Sequence, residues 1–227
     1  MANPMTQAAA NNDARSLRID FVSDVSCPWC AVGLLSLEQA LKRLDGEVHA
    51  ELHFQPFELN PQMPAGGQDI GEHLRQKYGA SPEQFAANQE NIRQRGAALG
   101  FTFDMGKRSR IYNTFDAHRL LHWAGLEGRQ SELKHAFLRA YFSDGADVGD
   151  RETLVRLAGE VGLPVERARA ILASDEFAAE TRAQERFFLQ NGINAVPAVI
   201  INERHLISGG QPVEVFERAL RQLAAAD

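Results

Sequence analysis

The spacing of apolar residues predicts a strand, a helix and a second strand at the start of the chain. Residues 17–23 place Leu17, Ile19 and Phe21 on one face, as in a buried strand. Residues 31–44 place leucines at helical spacing, and residues 48–54 alternate apolar and polar side chains with the period of a strand. Two strands joined by a helix in this way pair in parallel with a right-handed crossover, so the segment is a βαβ unit.

The middle of the chain has the spacing of several helices, and the end returns to strand character. Between residues 61 and 191 we predict helices over 81–99, 114–124, 129–142, 151–161, 165–173 and 175–191. Two short apolar strands follow over 198–201 and 205–208, and a last helix covers 212–223. The order β-α-β, helices, β-β-α predicts an α/β protein with a thioredoxin fold, whose two halves are separated by a large all-helical insertion.

This order divides the chain into three parts. We expect residues 1–16 to be a flexible lead-in, residues 17–60 and 192–227 to form the thioredoxin-like core, and residues 61–191 to form the helical insertion. The polar first segment lacks the basic start and the apolar centre of a secretory signal. No apolar stretch approaches the roughly 18 residues of a membrane-spanning helix, so the sequence predicts a cytoplasmic protein with no membrane partner.

Composition and charge exclude several classes of protein. Apolar residues make up 44% of the chain and charged residues 24%, which is ordinary for a folded globular protein. Acidic side chains outnumber basic ones by 30 to 24, and a nucleic-acid binder normally needs a basic face, so we expect no nucleic-acid partner. The chain has only two cysteines, Cys27 and Cys30, which excludes a fold held together by several disulfides.

The two cysteines lie at the predicted start of the first helix, in the sequence Cys27-Pro28-Trp29-Cys30. Pro28 suits the first helical turn, since its missing N–H would have no partner there. Unpaired backbone N–H groups and the helix dipole favour a thiolate at Cys27, and the thiolate is the reactive form. Cys30 follows one turn later, within disulfide reach. The pair can therefore attack a disulfide and resolve the mixed disulfide that results.

Three other roles for the cysteines stay open from the residues alone. They can bind zinc together with His118 and His122, which share a helical face, although the gap between the two pairs is longer than in a zinc finger. They can form a purely structural disulfide, or remain as inert buried thiols. A strand followed by C-x-x-C and a helix favours redox chemistry over all three, and we predict no metal site.

A second motif precedes the first of the two late strands, in the sequence Asn194-Ala195-Val196-Pro197-Ala198. Proline directly before a strand is unusual because it removes a hydrogen-bond donor, although it can simply separate a loop from a strand. Beside the cysteine pair it suggests a cis Val196–Pro197 bond. Such a bond would turn the Val196 backbone toward the thiols and leave its N–H and C=O free for a substrate strand.

Five motifs together resemble the DsbA-like thioredoxin superfamily, and within it the FrnE-like branch. They are Ser23-Asp24, Cys27-Pro28-Trp29-Cys30, residues 113–120 (NTFDAHRL), residues 192–197 (GINAVP) and residues 208–212 (SGGQP). The resemblance covers nearly the whole chain, and it implies a thioredoxin fold with a helical insertion over the active site and thiol-disulfide oxidoreductase activity. It also implies Cys27 as the nucleophile, Cys30 as the resolving thiol and Pro197 as the cis-proline.

Weaker candidates surround these motifs. Asp24, three residues before Cys27, can tune the cysteine pKa or relay a proton, or it can cap the helix. His118 and His122 fit partly buried structural positions better than a site. Trp29 is exposed by its position in the motif and can contact a substrate.

The sequence thus predicts a thiol-disulfide oxidoreductase or isomerase. It acts on a protein or small-molecule thiol or disulfide, needs no bound cofactor and can use glutathione as a co-substrate. Catalysis is assigned to Cys27 and Cys30. The substrate-binding and supporting residues are Trp29, Val196, Pro197, Asp24 and Pro28.

Two alternatives belong to other function classes. One is a glutathione-dependent isomerase or transferase: the hydroxychromene-carboxylate isomerases and kappa-class transferases resemble this architecture, but they usually carry serine in place of Cys27. The other is a chaperone-like module that would use the apolar groove around Trp29 and Val196 to bind unfolded chains.

Overall fold

The structure, a computed structural model, covers residues 16–79 and 81–226. The predicted flexible lead-in therefore lies outside the described residues, apart from Ser16, which begins the first strand. No helix in the described part of the chain is long and apolar enough to span a membrane.

The helices and strands follow the order that the apolar spacing predicts, with three additions in the middle. In chain order they are β1 (Ser16–Ser23), α1 (Pro28–Arg43), β2 (His49–Pro56), β3 (Gln68–Asp69), α2 (Ile70–Tyr78), α3 (Pro82–Ala98), β4 (Arg110–Ile111), α4 (Phe115–Leu126), α5 (Gln130–Phe142), α6 (Arg151–Glu160), α7 (Val165–Leu172), α8 (Ala178–Gln190), β5 (Ala198–Ile201), β6 (His205–Ser208) and α9 (Val213–Ala226). The additions are β3, α2 and β4.

A four-stranded mixed sheet, in the order β2-β1-β5-β6, forms the core. β1 pairs in parallel with β2 and antiparallel with β5, and β5 pairs antiparallel with β6. Because β1 lies between two strands with helices around them, Ile19, Phe21 and Val22 are fully buried. Truncation of a buried Phe such as Phe21 to Ala costs about 3–5 kcal/mol. This arrangement, with α1 packed against α9, confirms the predicted thioredoxin fold.

The insertion between the two halves is not all helical, so that part of the prediction is wrong. β3 and β4 form a separate antiparallel pair, with Gln68 opposite Ile111. Strands of two residues leave no alternation that a sequence pattern could detect. α2 begins where the Asp69 side chain accepts a hydrogen bond from the Glu72 N–H at 2.9 Å, and it ends at Gly79, whose φ of 64° is left-handed.

The insertion and the thioredoxin-like half share one hydrophobic core. Phe21 and Leu37 of the sheet and α1 belong to the same buried cluster as Trp123 and Phe137 of α4 and α5. Burial of each such side chain contributes about 1.5–3 kcal/mol. The two parts of the chain therefore stabilise each other.

The outer edge of β2 is covered by a side chain. Gln130, at the start of α5, accepts a hydrogen bond from the Phe54 N–H at 3.0 Å and donates one to the Phe54 carbonyl at 3.1 Å. The same amide group also donates to the Leu121 carbonyl at 3.2 Å. The glutamine amide thus takes the place of a peptide group in a neighbouring strand.

Candidate active site

The cysteine pair lies at the start of α1, shortly after the end of β1. Cys27 is the N-cap residue of α1, with extended backbone angles, and Pro28 follows in the first turn. The Cys27 carbonyl accepts the first helical hydrogen bonds, from the N–H groups of Cys30 at 3.1 Å and Ala31 at 3.3 Å. No side chain caps this helix end, so the N–H groups of its first turn can interact with the Cys27 thiol.

The two thiols are free and differ in their ionisation. A hydrogen bond from the Cys30 thiol and the N–H groups of Cys30 and Trp29 lower the pKa of Cys27, although burial and the charge of Asp24 oppose them. Burial raises the pKa of Cys30 well above its usual range, and the negative charge on Cys27 raises it further. Cys27 is therefore the favoured thiolate, and Cys30 holds the proton.

The Val196-Pro197 segment lies directly against the cysteine motif. The Val196 carbonyl oxygen is 3.8 Å from Cys27 Sγ, and the Val196–Pro197 bond is cis. Pro197 packs on α1 at Gly33, where an added Cβ would come within 3.0 Å of Pro197 Cγ. The absence of a side chain at Gly33 lets this segment approach α1 closely.

Asp24 is buried beside the motif and is held by several polar contacts. Its carboxylate accepts hydrogen bonds from the N–H groups of Ser26 at 3.1 Å and Leu59 at 2.7 Å, and His118 Nε2 is 3.7 Å away. Burial raises the pKa of Asp24, but His118 and the two backbone N–H groups outweigh it and hold this pKa below its usual range. Asp24 does not cap α1, so the capping alternative is wrong, and the carboxylate stays charged close to Cys27.

A buried lysine that the sequence analysis missed lies next to this group. Lys134 of α5 is 1% exposed, and its ammonium donates to the Ser23 hydroxyl at 2.9 Å. Burial holds the pKa of Lys134 below its usual value, although interactions with Cys30, Asp24 and Cys27 oppose this shift. The sequence does indicate that Lys134 is buried, because this residue lies on the apolar face of its helix.

Trp29 is half-buried, so the prediction that it is exposed is wrong. The Arg95 guanidinium of α3 lies 5.4 Å from the Trp29 ring centroid and donates a hydrogen bond to the Gly210 carbonyl at 2.8 Å. The insertion thus reaches over the motif and covers the indole. A local motif could not reveal this contact, because Arg95 is distant in sequence.

A cavity of about 710 Å³ opens beside Cys27. It lies between the cysteine motif on one side and α2 and α3 of the insertion on the other. Cys27, Pro28, Trp29 and Val196 all line it, whereas Cys30 and Asp24 lie behind this surface. The volume falls within the range of small-molecule sites, which is roughly 300–1,000 Å³.

The structure does not support the zinc alternative. His118 faces Asp24, whereas His122 contacts Gln184 at 3.3 Å and packs on the Phe177 ring. Among the described residues, no three His, Cys, Asp or Glu side chains are grouped so that they could hold a metal ion. The two histidines occupy separate, buried or half-buried positions, as structural histidines do.

Comparisons with known proteins identify the family and agree with the fold. A DsbA-like thioredoxin domain matches residues 18–221. A probable DsbA oxidoreductase from Streptomyces coelicolor is 39% identical, with a TM-score of 0.85 over 93% of this chain and 91% of that one.

More distant structures share the fold. The cytosolic disulfide reductase DsbM from Pseudomonas aeruginosa, solved with GSH, is 19% identical, with a TM-score of 0.61 over 92% of this chain and 99% of that one. A 2-hydroxychromene-2-carboxylate isomerase is 13% identical, with a TM-score of 0.67 over 92% and 97%. The chain belongs to the DsbA-like thioredoxin family of oxidoreductases.

Proposed function

We propose that the protein is a thiol-disulfide oxidoreductase that exchanges disulfides through Cys27 and Cys30. The observation that carries this proposal is the unequal pair of thiols at one helix end. Cys27, with its lowered pKa, borders a cavity, and Cys30, with its raised pKa, lies behind it. A thiolate at a cavity wall beside a protonated partner is what attack followed by resolution requires.

The first step is an attack on the substrate. The Cys27 thiolate attacks one sulfur of a substrate disulfide, whose S–S bond breaks as a new S–S bond to Cys27 forms. One substrate thiolate leaves and takes up a proton from solvent. The Val196 carbonyl, 3.8 Å from Cys27 Sγ, lies where it can accept a hydrogen bond from a substrate backbone at the reacting sulfur.

The second step releases the product. Cys30 gives up its proton and attacks Cys27 Sγ, which breaks the mixed disulfide; the departing substrate thiolate takes up the proton and leaves as the second thiol. A Cys27–Cys30 disulfide forms, and two electrons pass to the substrate. Because the charge of Lys134 lowers the pKa of Cys30 against the effect of burial, this lysine stabilises the Cys30 thiolate. The same steps in reverse oxidise a substrate dithiol.

The reaction uses only the two cysteines and a thiol or disulfide substrate. We propose that no bound cofactor takes part, and that glutathione serves as a co-substrate. The cavity has room for a molecule of that size, and DsbM, which shares the fold, has been solved with GSH. A reducing compartment such as the cytoplasm would keep the cysteine pair available as a reductant.

The test compares two cysteine variants. Cys27→Ser should abolish reduction of insulin and of glutathione disulfide, whereas Cys30→Ser should form a mixed disulfide with the substrate that accumulates and is visible by mass spectrometry. Equal activity of wild type and Cys27→Ser would contradict the proposal.

A second candidate is supported by the size of the cavity. A glutathione-dependent isomerase on the same fold would need a covered pocket beside the motif, and α2 and α3 provide one. Such an enzyme would need no second thiol. Isomerisation of a small aromatic substrate that survives in Cys30→Ala would favour this candidate over disulfide exchange.

A further inference from the structure

A buried arginine without an acidic partner lies beside the cysteine motif. Arg108, between α3 and β4, lines the cavity and is 7% exposed. Its Nη2 donates to the Ser26 carbonyl at 3.3 Å, and its Nε is buried with no hydrogen-bond partner. Within the described residues, no carboxylate lies within ion-pair distance of this guanidinium.

Burial of an unpaired cation is costly, so an arginine in this position needs an explanation. Removing a charge from water costs several kcal/mol unless a counter-charge and hydrogen bonds replace the solvent. The Tyr141 and Phe142 rings lie 4.9 and 5.1 Å from the Arg108 guanidinium carbon, which holds the group in place but supplies no negative charge. The Tyr141 hydroxyl also interacts with Arg108, so the chain keeps a fixed cation with polar contacts but no counter-charge at the cavity wall.

Other unsatisfied polar atoms belong to the same cavity. The Ser26 hydroxyl and Glu58 Oε1 are buried without a partner, although the second carboxylate oxygen of Glu58 pairs with Arg182. Together with Arg108, Ser26 and Glu58 make this side of the cavity wall polar. Lys77 adds a second cation to the lining, but it already donates to Leu59 and Asn60.

We infer that Arg108 binds a carboxylate of the substrate, and that the substrate is a low-molecular-mass thiol or disulfide of the amino-acid type. This inference rests on the proposed disulfide exchange at Cys27. The planar guanidinium matches a carboxylate in shape and charge, and the cavity places such a group on the same surface as Cys27. Arg108 is then a specificity-determining residue, because a disulfide without carboxylates gains nothing from it.

The first experiment needs no substitution. The wild-type protein is given glutathione disulfide, the same disulfide with its carboxyl groups esterified, and 2-hydroxyethyl disulfide. We expect kcat/KM to fall about tenfold or more on esterification, mainly through KM, since a hydrogen bond to a charged group is lost. Equal values for the free and esterified forms would overturn the inference.

The second experiment uses substitutions at Arg108 and at a surface control. In Arg108→Met, the ratio of kcat/KM for the free acid to kcat/KM for the ester should be close to one. Arg108→Lys should keep part of the wild-type ratio. Arg93→Met removes an exposed arginine of α3 that does not line the cavity, and it should leave the ratio as in wild type. A ratio that Arg108→Met leaves unchanged would overturn the assignment of Arg108.

The two proposals fail in different ways. If the wild type turns over none of the three disulfides, the proposed disulfide exchange is wrong. If it turns over all three at similar kcat/KM, exchange stands and only the role of Arg108 is wrong.

Discussion

At the scale of single residues, the site depends on two thiols that are close in sequence but differ in chemistry. Cys27 has the free end of α1 and the Cys30 thiol as hydrogen-bond donors, whereas Cys30 is fully enclosed. The hydrogen bond from Cys30 is the largest influence that lowers the pKa of Cys27. Each cysteine therefore sets the ionisation of the other.

The pH dependence of alkylation tests whether Cys30 lowers the pKa of Cys27. The thiolate reacts with iodoacetamide, so in the reduced wild type the rate at Cys27 should rise through a pKa below the usual 9.0. In Cys30→Ala the donor is lost, so the rise should move to higher pH and the rate at pH 7 should fall. Mass spectrometry identifies the modified cysteine. A profile that moves to lower pH in Cys30→Ala would contradict the assignment.

Lys134 provides a second prediction at this scale. Lys134→Met removes the buried cation that lowers the pKa of Cys30. The resolving step should therefore slow by about tenfold. This corresponds to roughly 1.4 kcal/mol of lost stabilisation of the Cys30 thiolate. The mixed disulfide at Cys27 should accumulate during turnover, as followed by rapid quenching and mass spectrometry. Lys42→Met, at the exposed end of α1, is the control and should not change resolution. Faster resolution in Lys134→Met would show that the lysine has another role.

The sequence predicted the residues of the motif and the nearby Asp24, but not the two buried basic residues around the motif. Cys27 and Cys30 belong to one short motif, so their spacing was enough. Lys134 and Arg108 come from the insertion, and only the fold brings them to the motif. Trp29 was expected to be exposed because the contact with Arg95 depends on the packing of α3.

At the scale of helices and strands, prediction succeeded for the segments that were long enough to show a period, with the exception of the nine-residue α2. β1, α1, β2 and the helices from α3 onward match the apolar spacing closely. β3 and β4 have two residues each, so they carry no period, and their pairing joins segments about forty residues apart. α2 was not predicted, although Asp69 lies at its start and Gly79 at its end.

Close packing between elements leads to a prediction at Gly33. A methyl group at this position of α1 would meet Pro197 Cγ at 3.0 Å and Gly210 Cα at 3.3 Å. Gly33→Ala should therefore displace the Val196-Pro197 segment, reduce kcat/KM and cost about 1–3 kcal/mol of unfolding free energy. Urea denaturation and the activity assay measure the two effects.

The control for this variant is Gly66→Ala. Gly66 has no neighbouring atom within 4 Å of an added Cβ, so the change should affect neither stability nor activity. A neutral Gly33→Ala would mean that Pro197 can move away from α1 without cost.

At the scale of the whole molecule, the insertion and the thioredoxin-like half should unfold together. Their side chains share one buried cluster, and each part contains one of the two tryptophans, Trp29 and Trp123. Trp29→Phe leaves a reporter in the insertion, and Trp123→Phe leaves one in the core. In each variant, urea-induced changes in fluorescence and in helical circular dichroism should coincide. Separate midpoints would show two independent folding units.

The contact of Gln130 with Phe54 has a consequence for how the protein behaves at high concentration. Strand edges with free N–H and C=O groups are templates on which another chain can add a strand and start aggregation. On the outer edge of β2, Gln130 occupies both groups of Phe54, the sixth residue of an eight-residue strand. A second molecule can pair there only after displacing the glutamine. The opposite edge of the sheet is β6, whose four residues make a short template.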